Sequence, residues 1–189
     1  FSSVSQAGYI MLGIISYNAM GVAAMMYYIL VYIFSNLAAF GVIGAIENAT
    51  GRLSMDDYRG LYKTNPRLSV AMMLAMFSLA GIPPFAGFFS KFFIFTSAIN
   101  QGSVAIYVLV LIALINTIVS LYYYLLVVKA MFISEDECVI PAFRSSFGER
   151  LGLWITVAGI LLLGLVSCFY TGLLDMTAAD GFLNMYFIG

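Results

Sequence analysis

The chain has 189 residues, of which 63% are apolar and only 9% charged, with a formal net charge of −1. This balance, with its strongly positive mean hydropathy, excludes a water-soluble domain, which needs far more polar surface, and points away from nucleic acid as a partner. There is no histidine, and Cys138 and Cys168 have no paired spacing, so metal, haem and disulfide chemistry lack support and no cofactor is expected on this chain.

The chain opens with FSSVSQAGYIMLGIISY, which has no charged leader and no cleavage pattern of a signal peptide. Its purely apolar part, Val4 to Tyr17, rises only about 21 Å as helix against the ~30 Å of a hydrocarbon core, so this helix is expected to begin upstream. Tyr17 and Asn18 read as a brief turn, and Met20 to Ile46 is a second apolar run long enough to span. Residues 47 to 67, ENATGRLSMDDYRGLYKTNPR, form a polar loop with Asn65-Pro66 as a helix-start signal. Asn48-Ala49-Thr50 matches a glycosylation triplet there and is discounted. The third passage is interrupted, with Leu68 to Leu79 before the break and Gly87 to Ile99 after it. Asn100-Gln101-Gly102 turns into a fourth passage from Val104 to about Phe132. A second polar loop, SEDECVIPAFRSSFGER, leads to a fifth passage over Leu151 to Tyr170 and a weakly amphipathic tail holding Asp175 and Asp180.

Charge placement supports five passages. With that count both polar loops fall on one side, and with flanking Lys129 and Arg150 they hold seven of the eight basic residues. Residue 1 and both loops are therefore expected on the negative, cytoplasm-like side, and the C-terminus on the other. The remaining basic residue is Lys91, the only Asp, Glu, Lys or Arg expected at membrane depth.

LAGIPPFAGFFSKFF, residues 79 to 93, combines two features that are costly in lipid. A proline inside a helix costs roughly 3 kcal/mol and a lysine at bilayer depth at least ~2.5 kcal/mol. A break at Gly81, Pro83, Pro84 and Gly87 is tolerable only where it is buried in protein or lines a wet cavity, and such interruptions mark ion or substrate sites in transporters. Lys91 follows about one turn later among apolar helical neighbours, so a polar partner has to come from another helix. Two stripes at helical spacing are candidates: Tyr28, Tyr32, Ser35 and Asn36 on the second passage, and Asn116, Ser120, Tyr123 and Tyr124 on the fourth. Ser90 adds a hydroxyl next to the lysine. Desolvation disfavours an ammonium, so a buried lysine can exchange a proton as its surroundings change, which is the chemistry of a relay. The competing structural readings are a packing kink, a snorkelling lysine, and tyrosines that serve as packing or interface anchors.

FSSVSQAGYIMLG, DDYRGLYKTNP, MMLAMFSLAGIPPFAGFFSKFFIF and INTIVSLYYYLLVVKAMF together resemble the antiporter-like membrane subunits of respiratory complex I, nearest the subunit N family of bacterial NADH:quinone oxidoreductases and its mitochondrial counterpart. The resemblance covers most of residues 1 to about 133. It implies an all-α polytopic membrane fold: the second of two inverted five-helix repeats, with its broken helix, plus a final helix. Residues 1–133 then form the second half of the proton-translocating domain, and 134–189 the polar loop, last helix and tail. The resemblance makes Lys91 the broken-helix lysine of a proton channel, in a chain without redox groups. It also implies other complex I membrane subunits and lipid as partners, NADH and quinone only through other subunits, and a bacterial cytoplasmic or a mitochondrial inner membrane. Two other readings stand beside this one: a subunit of a multi-subunit Na+/H+ antiporter, and a structural membrane scaffold.

Overall fold

The computed structural model describes residues 2–133 and 140–165. Cys138, Cys168, the end of the fifth passage and the tail lie outside the described residues.

Helix α1 (Ser2–Ile15) closes at Tyr17, whose φ is positive at 47°, and the side chain of Asn18 then accepts from the amide of Gly21 at 2.6 Å to start α2 (Ala19–Thr50). Such an N-cap is worth about 1 kcal/mol. Because polar Glu47 to Thr50 remain good enough helix formers, α2 outruns the apolar stretch that ends at Ile46. It stops only at Gly51, which adopts the left-handed conformation at φ 70°. A 3-10 turn (Met55–Tyr58) and a single helical turn α3 (Leu61–Thr64) follow, and Pro66 sits in the first turn of α4 (Pro66–Ala80). After the break come α5 (Ala86–Ile99), α6 (Val104–Ile133) and α7 (Phe147–Leu165). Among the described residues α2, α6 and α7 are each long and apolar enough to cross a membrane, whereas α1, α4 and α5 are shorter apolar helices.

Together α4 and α5 make one interrupted passage. Asn65, at the start of α4, donates to the carbonyl of Pro141 at 3.0 Å and accepts from the amide of Phe143. Asn48, near the end of α2, donates to Glu149 at 3.0 Å. The two charged loops therefore meet at one end of the bundle, as the basic residues require. At the other end Asn18 reaches the carbonyl of Ser97 and Gln101 that of Ser16, which brings the end of α5 to the α1–α2 turn. The pair α4–α5 thus traverses the length that α2 traverses alone.

The core forms two apolar clusters. One holds Val42, Ile46, Leu61, Met131 and Ile160 at the charged-loop end, and the other Tyr27, Val31, Ile94 and Val110 beyond the break. Most of α6 faces outward with apolar side chains such as Ile112, Ile115, Ile118 and Val119, a surface suited to lipid or to another membrane protein.

Candidate functional site

A helix C-terminus leaves its last carbonyls without intrahelical partners, and in a membrane interior each must be satisfied locally. At the end of α4 Gly81 takes φ 84°, so its amide and that of Ile82 fold back onto the carbonyls of Phe77 and Ser78. Pro83 and Pro84 have no amide to satisfy, and Phe85 donates to Ile82 at 3.1 Å. Both prolines are exposed and contribute no side chain to the interior.

The carbonyls of Leu79 and Ala80 remain, and Lys91 takes both. Its Nζ donates to Leu79 O at 2.9 Å and to Ala80 O at 3.0 Å. Lys91 is only 5% exposed. The site exists because Gly87 lets the two half-helices touch: a Cβ there would lie 1.6 Å from the carbonyl oxygen of Ser78. The first turn of α5 therefore lies beside the last turn of α4, and Lys91 points back across the gap. Its stem runs over Gly81, whose missing side chain would stand 3.0 Å from Lys91 Cδ. The ammonium also sits 5.4 Å from the centre of the Tyr9 ring, within cation–π range. Two carbonyls, the negative end of α4 and an aromatic face thus hold the lysine Nζ, and among the described residues no carboxylate pairs with it.

This corrects one expectation from the sequence. The direct hydrogen-bond partners of Lys91 come from neither polar stripe but from the backbone of the other half of its own interrupted passage. The stripes stand one step further out. A cavity of about 10 Å³, at the threshold for one water, is lined by Tyr28, Tyr32, Ser35 and Ser78 on one side and Ser90 and Lys91 on the other. Ser35 and Ser78 hydrogen bond at 2.7 Å, and Ser90 donates to Gly87 O at 2.9 Å. Asn36 is half-buried and does not line this cavity.

The centre of the network is Gln6, a residue not singled out in the sequence. Tyr28 donates to its Oε1, while its Nε2 donates to Tyr124 Oη at 3.3 Å and, at 3.5 Å, to the same Leu79 carbonyl that Lys91 holds. Tyr124 also pairs with Ser2. Asn116 reaches the site through Tyr9, donating to its hydroxyl at 2.9 Å. Ser120 is buried but bonds the Thr117 carbonyl on its own helix, and Tyr123 packs against Tyr124 with ring centres 4.6 Å apart; neither touches Lys91 or the cavity. The missed residues carried a signal: Ser2, Gln6 and Tyr9 recur at helical spacing on one face of a largely apolar helix.

Comparison with known proteins agrees with this architecture. Residues 1–120 match the family described as "NADH:quinone oxidoreductase/Mrp antiporter, TM". NADH-quinone oxidoreductase subunit N of Phocaeicola vulgatus is 56% identical over 176 residues, which is 93% of this chain and 37% of that protein. A structure of respiratory complex I from Thermus thermophilus contains a chain that superposes with a TM-score of 0.71 at 33% identity, over 88% of this chain and 36% of the other. A chain of the Mrp complex from a Dietzia species superposes with a TM-score of 0.78 at 26% identity, over 95% of this chain and 41% of the other. The chain spans little more than a third of the length of the curated relatives it matches.

Proposed function

Because this chain belongs to the NADH:quinone oxidoreductase/Mrp antiporter membrane family, we propose that it is a proton-translocating segment of subunit N of a respiratory NADH:quinone oxidoreductase, with Lys91 as the group that takes up and releases the proton. The observation that carries this reading is an ammonium held inside a membrane bundle by two carbonyls at a helix break.

Carbonyls accept hydrogen bonds but cannot take the proton away, so Leu79 and Ala80 hold the charged form and cannot discharge it. Desolvation works against that charge, and the carbonyls and the Tyr9 face work for it. A balance of this kind shifts when the break or the neighbouring hydroxyls move. The proton's exit runs through the small cavity beside Ser35, Ser78 and Ser90, whose hydroxyls carry a lone pair and a hydrogen on one atom, while Gln6 accepts from Tyr28 and so holds that hydroxyl at the cavity's edge. Redox chemistry belongs to other subunits of the complex, which are the partners of this chain, in a bacterial cytoplasmic membrane. The fold is also shared with a chain of an Mrp complex, and that likeness keeps a Na+/H+ exchanger as the second reading. The test is affinity purification from native membranes followed by transport assays. NADH-driven proton uptake that travels with the chain supports the proposal; sodium-dependent proton exchange without NADH oxidation favours the second reading.

A further inference from the structure

The charged-loop end of the bundle holds a second feature, separate from the Lys91 site. Between α4 and α7 lies an open groove of about 800 Å³ with two walls at helical spacing. One is Arg67, Val70 and Leu74, and the other Arg150, Trp154, Val157 and Leu161. Each wall carries an arginine at the start of its helix and apolar side chains further in. Arg144 on the connecting segment completes a rim of three cations.

Among the described residues the three arginines of the rim make no ion pair; the pairs there are Arg52–Asp57 and Arg59–Asp56. Glu149 keeps its negative charge beside Arg150, but its oxygens are held by Asn48 and the Ser146 amide and form no ion pair with the three arginines. The positive ends of two helices of 15 and 19 residues, α4 and α7, open at the same rim. Trp154 is 71% exposed one turn below Arg150, where an indole marks the interface between headgroups and acyl chains. From Arg150 to Leu161 the apolar wall descends about 16 Å, a depth suited to an acyl chain.

We propose that this groove seats an anionic phospholipid, its phosphate among Arg67, Arg144 and Arg150 and an acyl chain along Trp154, Val157 and Leu161. Basic pockets between membrane helices select anionic over zwitterionic headgroups, with about 1 kcal/mol, or roughly fivefold, for each cation near the surface. The inference rests on the membrane placement of the bundle and not on the proton chemistry of Lys91.

The test uses the complete complex in nanodiscs of phosphatidylglycerol and phosphatidylcholine in equal amounts, with a trace of either lipid carrying a photoreactive acyl chain. Phosphatidylglycerol should label the peptide containing Trp154 and Leu161 roughly tenfold or more above phosphatidylcholine, and the preference should collapse in an R67Q/R144Q/R150Q variant. R144Q alone, at a loop position that spares the helices if the triple variant fails to assemble, should cut the preference about fivefold. Equal labelling by both lipids, a preference that survives the substitutions, or a groove peptide that neither lipid reaches because another protein segment fills it, would each overturn the proposal.

Discussion

Lys91 Nζ lies 2.9 Å from the carbonyl oxygen of Leu79, twelve residues earlier and on the far side of the helix break. The cost of breaking a helix in lipid and the cost of burying a lysine are therefore met together. The break leaves two carbonyls without intrahelical donors, and the lysine brings donors that pair with no carboxylate among the described residues. This pairing explains why prolines, glycines and a lysine share one short stretch of an apolar chain.

The close approach of the half-helices predicts that Gly87→Ala is severely disruptive. Its methyl group would overlap the backbone oxygen of Ser78, which cannot move without unwinding the last turn of α4. Overpacking of this kind costs about 1–3 kcal/mol and occasionally more. Gly44→Ala on α2, where a Cβ meets nothing within 4 Å, is the matched control. Thermal unfolding of the purified complex should show a lowered midpoint for Gly87→Ala and none for Gly44→Ala. Equal midpoints would refute the packing of the break described above.

A second prediction concerns Gln6. Gln6→Leu keeps the volume but removes the link between Tyr28, Tyr124 and the Leu79 carbonyl, leaving the buried Tyr28 hydroxyl without its acceptor at about 1–3 kcal/mol, while Tyr124 keeps Ser2. Proton uptake in vesicles should fall several-fold while the complex still assembles on a native gel. Tyr28→Phe should fall in the same direction and by less, because it removes one hydrogen bond of the set. Full proton uptake in Gln6→Leu would take Gln6 out of the pathway.

Within the described residues the sequence already marked the interruption, the first charged loop and the bounds of the passages to within a few residues, because each rests on side-chain chemistry that a sequence displays directly. The glycines that permit positive φ, the prolines without amides and the clustering of basic residues are all visible there. What it concealed was the partner of Lys91, since Leu79 and Ala80 act through backbone oxygens that every residue possesses; only the fold brings them within reach. Gln6 escaped notice for a different reason, being one polar side chain in a helix otherwise read for its apolar length. The extension of α2 to Thr50 shows the same limit, because a helix ends where its backbone turns, at Gly51, and not where its side chains become polar.

Topology yields a third prediction. The Asn65–Pro141 and Asn48–Glu149 contacts place both charged loops at one end. Cysteines introduced by Ser54→Cys and Ser145→Cys should react with an impermeant maleimide from the same face of sealed vesicles, and a cysteine at Ser103, in the turn before α6, from the opposite face. Labelling of the first two from different faces would contradict the passage count.

The central claim is that Lys91 moves a proton and does more than cap the carbonyls of α4. Lys91→Arg separates these roles, because a guanidinium still donates to Leu79 and Ala80 but does not release a proton. The decisive measurement is NADH-driven proton uptake and quinone reduction on the same vesicles, for wild type, Lys91→Ala and Lys91→Arg, with assembly checked by native gel. Both variants should assemble and lose uptake by roughly tenfold or more, at or below the usual contribution of a positioned acid–base group, with quinone reduction slowed alongside. Wild-type uptake in an assembled Lys91→Ala complex, or full uptake in Lys91→Arg, would contradict the account and leave Lys91 a structural cap.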